Sequence, residues 1–284
     1  MILHIAGTGC PDPSADRFGS CFVLEGAGPL MMFDCGPAAT YKLAQLGIHP
    51  TQIERLFFTH HHFDHNVDYP CFLLSRWDQG ASQEPELKVY GPAPTEEFTR
   101  KLMGQDGAFA ADWISRVKHP ASKQLYENRG GQMPRPEPSY EVHDIESGHV
   151  QEIEDTAVTA HSVHHVEPWL QSLAYRVESP AGTVAFTGDA GPCPALQEVS
   201  QEADVLVVAS GYRGKIQDAV ADVITGATDA GKLAAASEVK TVVLTHTTAG
   251  VAPPGRREAA IAEVAQHFNG RTIFADEPMS VQVP

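Results

Sequence analysis

The sequence predicts an α/β fold in which two β-sheets are sandwiched between helix layers, a four-layer αββα sandwich. Strand-like runs occur in both halves of the chain, and helical stretches follow or separate them in each half. In the second half, Asp204–Val208 and Thr241–Leu244 are continuously apolar, the texture of parallel strands covered on both faces. The chain opens with a strand over Ile2–Ala6, and a loop marked by Gly and Pro follows, GTGCPDPSADRFGS. Cys21–Leu24 and Leu30–Phe33 are the next strands, split by a turn over 25–29. Ala38–Leu46 reads as a short helix stopped by Gly47. Ile53–Phe58 has the length and apolarity of a buried strand. Leu87–Tyr90 is a further strand and Thr95–Met103 a helix.

From about 104 to 138 the texture changes. DGAFAADWISRVKHP has room for one helix, and ASKQLYENRGGQMPRPEPS is rich in Gly, Pro and polar residues. We read 104–138 as an insertion or lid arm on a single domain spanning 1–284, with a plain surface excursion as the alternative. Strands resume at Tyr140–Ile145, Thr156–Val163, Ser172–Val177 and Thr183–Thr187. Helices are expected over Pro194–Ser200, Ala219–Ser237 and Arg256–Phe268.

Composition narrows the class of protein. Thirty-six acidic and 20 basic residues give a net charge of −16 with histidine neutral. That balance argues against tight binding to phosphate backbones, so nucleic acid is disfavoured as a partner. Hydrophobic residues make up 42% of the chain, which excludes wholesale disorder. No apolar run approaches the roughly 20 residues that cross a bilayer. The N-terminal stretch MILHIAGTGCPDP lacks the marks of a signal peptide. Five scattered cysteines without a CxxC pair point to a reducing cytoplasm. No motif sets the oligomeric state, and a homo-oligomer, a dimer first, is the expectation.

The segment Thr59-His60-His61-His62-Phe63-Asp64-His65 carries the chemistry. It follows a strand, and the C-terminal ends of strands are where open α/β sheets place their sites. Imidazole and carboxylate are ordinary ligands of divalent zinc. His60 and His62 point the same way on an extended backbone, and His61 turns away. Asp64 and His65 follow closely enough to face a second ion. Three further pieces stand at strand ends: His161-Ser162-Val163-His164-His165, Thr187-Gly188-Asp189 and Thr245-His246. This is more donor chemistry than one ion uses, so a dinuclear site is expected.

With these pieces in order, the sequence resembles the metallo-β-lactamase superfamily, nearest the branch of ribonuclease Z and arylsulfatase-like hydrolases. The resemblance rests on GTGxPxP with Arg17 and Ser20, Asp34-Cys35-Gly36, the THHHFDH segment, the AYR ending at Arg176, Thr187-Gly188-Asp189 and Leu244-Thr245-His246. It covers nearly all of the chain except 104–138. It implies the metallo-β-lactamase fold and two zinc ions, with Mn2+ or Fe2+ also acceptable. By that resemblance, His60, His62 and His165 hold the first ion, Asp64, His65 and His246 the second, and Asp189 bridges both. Side-chain parity leaves His161 and His165 open, with His164 facing the other way. The family's A-x-x-V-x-H … Y-R pattern, with Val163 at the V, favours His165. Asp34 resembles a position that braces the metal loop.

Two ions at such a site acidify a bridging water toward hydroxide and offset developing negative charge. Asp64 is expected to ligate and to orient that water, as the catalytic carboxylate. The implied reaction is hydrolysis of a small ester-type substrate: a phosphodiester, aryl sulfate, lactone or β-lactam. The alternatives are tRNA 3′ processing of the ribonuclease Z kind and a non-catalytic metal-binding or sensing relative. Against tRNA processing, the family's H-x-T-A element reads Ile224-Thr225-Gly226-Ala227, and its L-I-H-E-A strand end carries no Glu at Val207-Val208-Ala209-Ser210. The basic glycine-rich arm is reduced to ENRGGQMPRPEP, with only Arg129 and Arg135. Trp169, Tyr212 and Arg213 are candidates for substrate contact, and Cys193 reads as a small buried residue.

Overall fold

The computed structural model describes residues 1–211, 218–248 and 252–284. The first sheet is built from β1 (Ile2–Gly7), β2 (Cys21–Glu25), β3 (Leu30–Phe33), β4 (Ile53–Phe57), β5 (Lys88–Gly91) and β6 (Glu141–Asp144). The second takes β7 (Val150–Ile153), β8 (Thr156–Ser162), β9 (Leu173–Ser179), β10 (Gly182–Phe186), β11 (Val205–Ala209), β12 (Thr241–Thr245) and β13 (Arg271–Phe274). The last strand, β14 (Met279–Gln282), returns to the first sheet and pairs antiparallel with β1. Strand orders are β14-β1-β2-β3-β4-β5-β6 and β13-β12-β11-β10-β9-β8-β7. The first half carries helices α1 (Ala39–Gln45), α2 (Phe63–Asn66), α3 (Tyr69–Gly80), α4 (Thr95–Met103), α5 (Ala110–Lys118) and α6 (Pro120–Asn128). The second carries α7 (Pro194–Ser200), α8 (Asp218–Ala221), α9 (Ala227–Ala236) and α10 (Arg256–Ala265). No helix among the described residues is long and apolar enough to cross a membrane.

Side-chain parity builds the layers. Leu3, Ile5, Phe22, Leu24, Met31 and Phe33 face the core between the sheets, while Ala6, Cys21, Val23 and Met32 face the helices outside. In β11, Val205 and Val207 point inward and Leu206 and Val208 outward. Phe33 stacks between Phe57 and Phe186, with ring centroids 5.2 and 4.2 Å away. Helices α1, α3, α4 and α5 cover the first sheet, and α7, α9 and α10 the second. The result is the αββα sandwich expected from the sequence. β11 and β12 pair in parallel, as their continuous apolarity requires. β8, β10 and β12 run in one direction, so the segments that follow them emerge together.

Three expectations need correction. The helix expected over Ala219–Ser237 is two: α8 ends at Ala221 and α9 begins after Gly226. Between them the Thr225 hydroxyl donates to the Ala209 carbonyl at 2.5 Å and ties the chain to the end of β11. The 104–138 segment holds two helices, α5 and α6, instead of one. Helix α3 was not foreseen. Its buried face runs Tyr69, Phe72, Leu73, Arg76, Trp77, and the arginine in that stripe hides the apolar period. Arg76 is tolerated there because its guanidinium donates to the carbonyls of Thr51 and Pro85.

Candidate metal centre

The histidine segment is fixed before any ion is considered. Leu173 donates its backbone N–H to the Thr59 carbonyl at 2.8 Å, and Cys35 donates to the His65 carbonyl at 2.7 Å. Gly36 and Gly19 both lie against the Asp64 carbonyl, where a Cβ on either would overlap that oxygen. The motif Asp34-Cys35-Gly36 thus cradles the loop that carries His60 to His65.

Asp34 also sets the tautomers. It accepts from the Thr59 N–H at 2.8 Å and from the Thr59 hydroxyl at 2.9 Å. With its proton given to Asp34, the Thr59 oxygen accepts from His60 Nδ1 at 3.0 Å. His65 Nδ1 donates to Asp34 directly at 2.7 Å. His165 Nδ1 donates to the Val223 carbonyl at 2.8 Å. The network therefore leaves the Nε2 lone pairs of His60, His65 and His165 free.

Those lone pairs converge. His60 Nε2 lies 2.9 Å from His62 Nδ1, which lies 3.3 Å from His165 Nε2. His65 Nε2 is buried without a hydrogen-bond partner, 3.5 Å from both Asp64 and Asp189. His246 takes a left-handed backbone, φ 51°, and sets its Nε2 3.1 Å from Asp64 and 3.1 Å from Asp189. Asp64 Oδ1 is buried and unpartnered. The structure brings the seven residues into two groups sharing Asp189: His60, His62, His165 and Asp189, and Asp64, His65, Asp189 and His246, with donor atoms within 4.8 Å in each. Lone pairs and carboxylates buried face to face repel one another unless a cation lies between them. The donor set therefore fits divalent ions bound by nitrogen and oxygen.

Burial pushes His60 well below the usual imidazole range. Burial alone would raise the Asp189 carboxyl, but His246 and His65 outweigh it and hold the group well below the carboxylate range. Of the seven, only His62 is half-buried, and the others are buried. The accessible edge of the centre is therefore at His62.

The neighbouring histidines fall elsewhere. His61 is wedged against α4, its Nε2 2.7 Å from the Thr95 hydroxyl, which itself donates to the Pro92 carbonyl at 2.7 Å. Burial pushes His61 down to about 4. His164 is exposed, and its carbonyl accepts from Gly191 at 2.8 Å. His161 faces α7, 3.9 Å from Glu198. Cys193 caps α7 and is half-buried. Trp169 is 90% exposed. Tyr212 and Arg213 lie outside the described residues. Sequence reasoning missed the Val223 carbonyl and Glu167, whose carboxylate accepts from the His165 N–H at 2.8 Å. The carbonyl has no sequence signal. Glu167, two residues past a candidate ligand, was visible but unassigned.

Comparison with known proteins agrees with this geometry. The chain matches the metallo-β-lactamase superfamily over residues 15–246. Ribonuclease Z of Mycobacterium marinum is 26% identical over 290 residues, covering 99% of this chain and 98% of its own. The metallo-β-lactamase fold protein YhfI of Bacillus subtilis superposes with a TM-score of 0.76 at 17% identity, over 99% of this chain and 98% of that one. The short form of human tRNase Z gives 0.69 at 19% identity over 100% of both chains. At those identities the two structures speak for the fold alone. The match over 15–246, on a sandwich that gathers two His/Asp groups at its strand ends, makes this chain a metal-dependent hydrolase of the metallo-β-lactamase superfamily.

Proposed function

We propose that the chain is a dinuclear phosphodiesterase acting on RNA. In this reading His60, His62 and His165 hold one ion, Asp64, His65 and His246 the other, and Asp189 bridges them, with zinc as the metal. The observation that carries it is the pair of four-residue groups sharing Asp189. Two divalent ions there supply an acidified water and an offset for charge developing on the phosphoryl group. The chain's own residues do the rest. Asp34 holds His65 directly, and His60 through Thr59, so that each presents Nε2. Asp64 Oδ1, buried without a partner, accepts the proton of the attacking water. The half-buried His62 edge is where substrate enters.

The relatives named ribonuclease Z, aligned over 99% of the chain, favour an RNA phosphodiester over a lactone or aryl sulfate. That reverses the order expected from net charge. tRNA 3′ processing is the second reading and rests on the same relatives. Against it, Arg129 and Arg135 of the expected tRNA arm are both spent on Asp78, at 2.9 and 2.7 Å.

The test is metal content and turnover together. Protein purified without chelators should hold close to two divalent ions per chain. His165→Ala should drop this toward one and cut the rate by several orders of magnitude, while His164→Ala keeps two. Bis(p-nitrophenyl) phosphate should be hydrolysed faster than an aryl sulfate, a lactone or a β-lactam. Turnover of a lactone but of no phosphodiester would overturn the reading. Cleavage of a tRNA precursor at its 3′ trailer, at physiological salt, would make the second reading the first.

A further inference from the structure

We propose that Glu277 is a positioning residue for the metal group of Asp64, His65, Asp189 and His246: it staples both ends of the loop between β1 and β2, and so holds Asp64 and His246 in register across the two sheets. The proposal rests on the dinuclear reading and names the residue that sets one half of that centre.

Glu277 lies between β13 and β14, and its side chain is 1% exposed. A carboxylate buried that far is costly unless donors surround it. Here each oxygen serves a different end of the loop. Oε2 accepts from the Thr8 N–H at 2.5 Å and from the Thr8 hydroxyl at 3.0 Å. Oε1 accepts from the Phe18 N–H at 2.6 Å and lies 3.5 Å from Lys42 Nζ on α1. Arg17 closes the far side, donating to the Thr8 hydroxyl oxygen at 2.6 Å and to the Ala275 carbonyl at 2.8 Å. Every partner of Glu277 is a donor, so the position calls for an ionised carboxylate, which only accepts.

Each stapled end leads to one ligand. The Thr8 carbonyl accepts from the Thr247 N–H at 3.0 Å. Thr247 directly follows His246, whose left-handed φ of 51° persists only if the chain around it is held. At the other end Phe18 runs into Gly19, which is packed against the Asp64 carbonyl. The Ser20 carbonyl beyond it accepts from the Gly36 N–H at 2.9 Å. The other group is braced elsewhere, by Asp34 through Thr59 for His60 and by the Val223 carbonyl for His165. Glu277 therefore acts on one group and not on the other.

The experiment measures zinc affinity, by competition against a chelator, in two backgrounds. His165→Ala disables the first group and leaves the ion of the Asp64 group, and His246→Ala does the reverse. Glu277→Gln keeps the shape but turns one oxygen into a donor, so one end of the loop loses its acceptor. It should weaken the remaining ion about ten-fold in the His165→Ala background and leave it unchanged in the His246→Ala background. A second readout needs no metal. In chelated protein the Thr247 amide should exchange faster in Glu277→Gln, while the Cys35 amide, bonded to the His65 carbonyl, keeps its protection. If Glu277→Gln does not fold, Thr8→Val, which removes only the hydroxyl, carries the same comparison. Equal weakening in both backgrounds, none in the His165→Ala background, or unchanged Thr247 exchange overturns the proposal. If wild type binds no divalent ion, the dinuclear reading fails, and the pair of amides alone decides whether Glu277 holds the strand end beside His246.

Discussion

Asp34 decides which nitrogen each of two histidines offers. Its carboxylate takes the Nδ1 proton of His65 directly and, through the Thr59 hydroxyl, fixes that of His60. Asp34→Asn replaces one acceptor oxygen with a donor, so Thr59 or His65 loses its acceptor, and the ring of His60 or of His65 is free to turn. Metal affinity should fall about 10- to 100-fold with the fold intact, read by competition against a chelator of known affinity. Wild-type affinity in that variant would show that packing alone orients the rings. At this scale the sequence was informative where a donor stands just after a strand: His60, His165, Asp189 and His246 each lie within three residues of one. It was silent on most of the groups that brace the donors. His61 sits among ligands but braces α4 through Thr95, a residue 34 positions away. Nothing in the sequence marks the Val223 carbonyl that orients His165.

The 104–138 segment shows how an element is held. Arg135 is buried, with its guanidinium 4.1 Å from the Trp77 ring centroid and 5.0 Å from that of Tyr126. Asp78 on α3 accepts from Arg135 at 2.7 Å and Arg129 at 2.9 Å, and Arg116 lies 3.3 Å away. One carboxylate thus anchors three arginines of the segment to α3. Burial would raise Asp78, but Arg135, Arg116 and Arg129 outweigh it and lower its pKa. A carboxyl with a folded pKa below its unfolded one adds stability above the unfolded value and loses it as pH falls through the folded one. The anchor should hold at neutral pH and release in acid. Asp78→Asn leaves Arg135 buried without its counter-charge, a loss of about 3 kcal/mol. Hydrogen exchange should quicken over 104–138 while the amides of β4 and β12 keep their protection. Uniform acceleration across the chain would show that the segment is not an independent unit. This anchor is invisible in the sequence, because Asp78 and Arg135 meet only once α3 exists. Helix α3 itself was hidden by Arg76 on its apolar face. The strands β7, β13 and β14 were missed for a related reason: they are four-residue sheet edges, each with one or two exposed positions, so their apolar alternation is short.

At the scale of the molecule, the metal groups lie across the seam between the two sheets. His60, His62, Asp64 and His65 follow β4 of the first sheet, whereas His165, Asp189 and His246 follow β8, β10 and β12 of the second. Each group takes two residues from each side: His60 and His62 with His165 and Asp189, Asp64 and His65 with Asp189 and His246. The sheets otherwise meet mainly through non-directional packing of rings and aliphatic side chains, with isolated hydrogen bonds such as the Tyr175 hydroxyl to the Phe58 carbonyl at 2.7 Å. Ions seated in these groups would add directional bonds between the layers at one end of the sandwich. Because the unfolded chain scatters the donors, binding energy becomes folding energy. Free metal at a thousand-fold excess over its Kd adds about 4 kcal/mol, or a rise of roughly 10 °C in Tm for a chain near this length. Calorimetry of the chelated protein, with and without added zinc, should show one transition moving upward as a whole, since both sheets share the ligands. His165→Ala should shrink the shift, because only one group remains complete. A melting curve indifferent to zinc, manganese and iron alike would mean that the groups bind no divalent ion, and the dinuclear reading would fall with it. A curve that splits on chelation would show that the two sheets unfold separately once no ion bridges the seam.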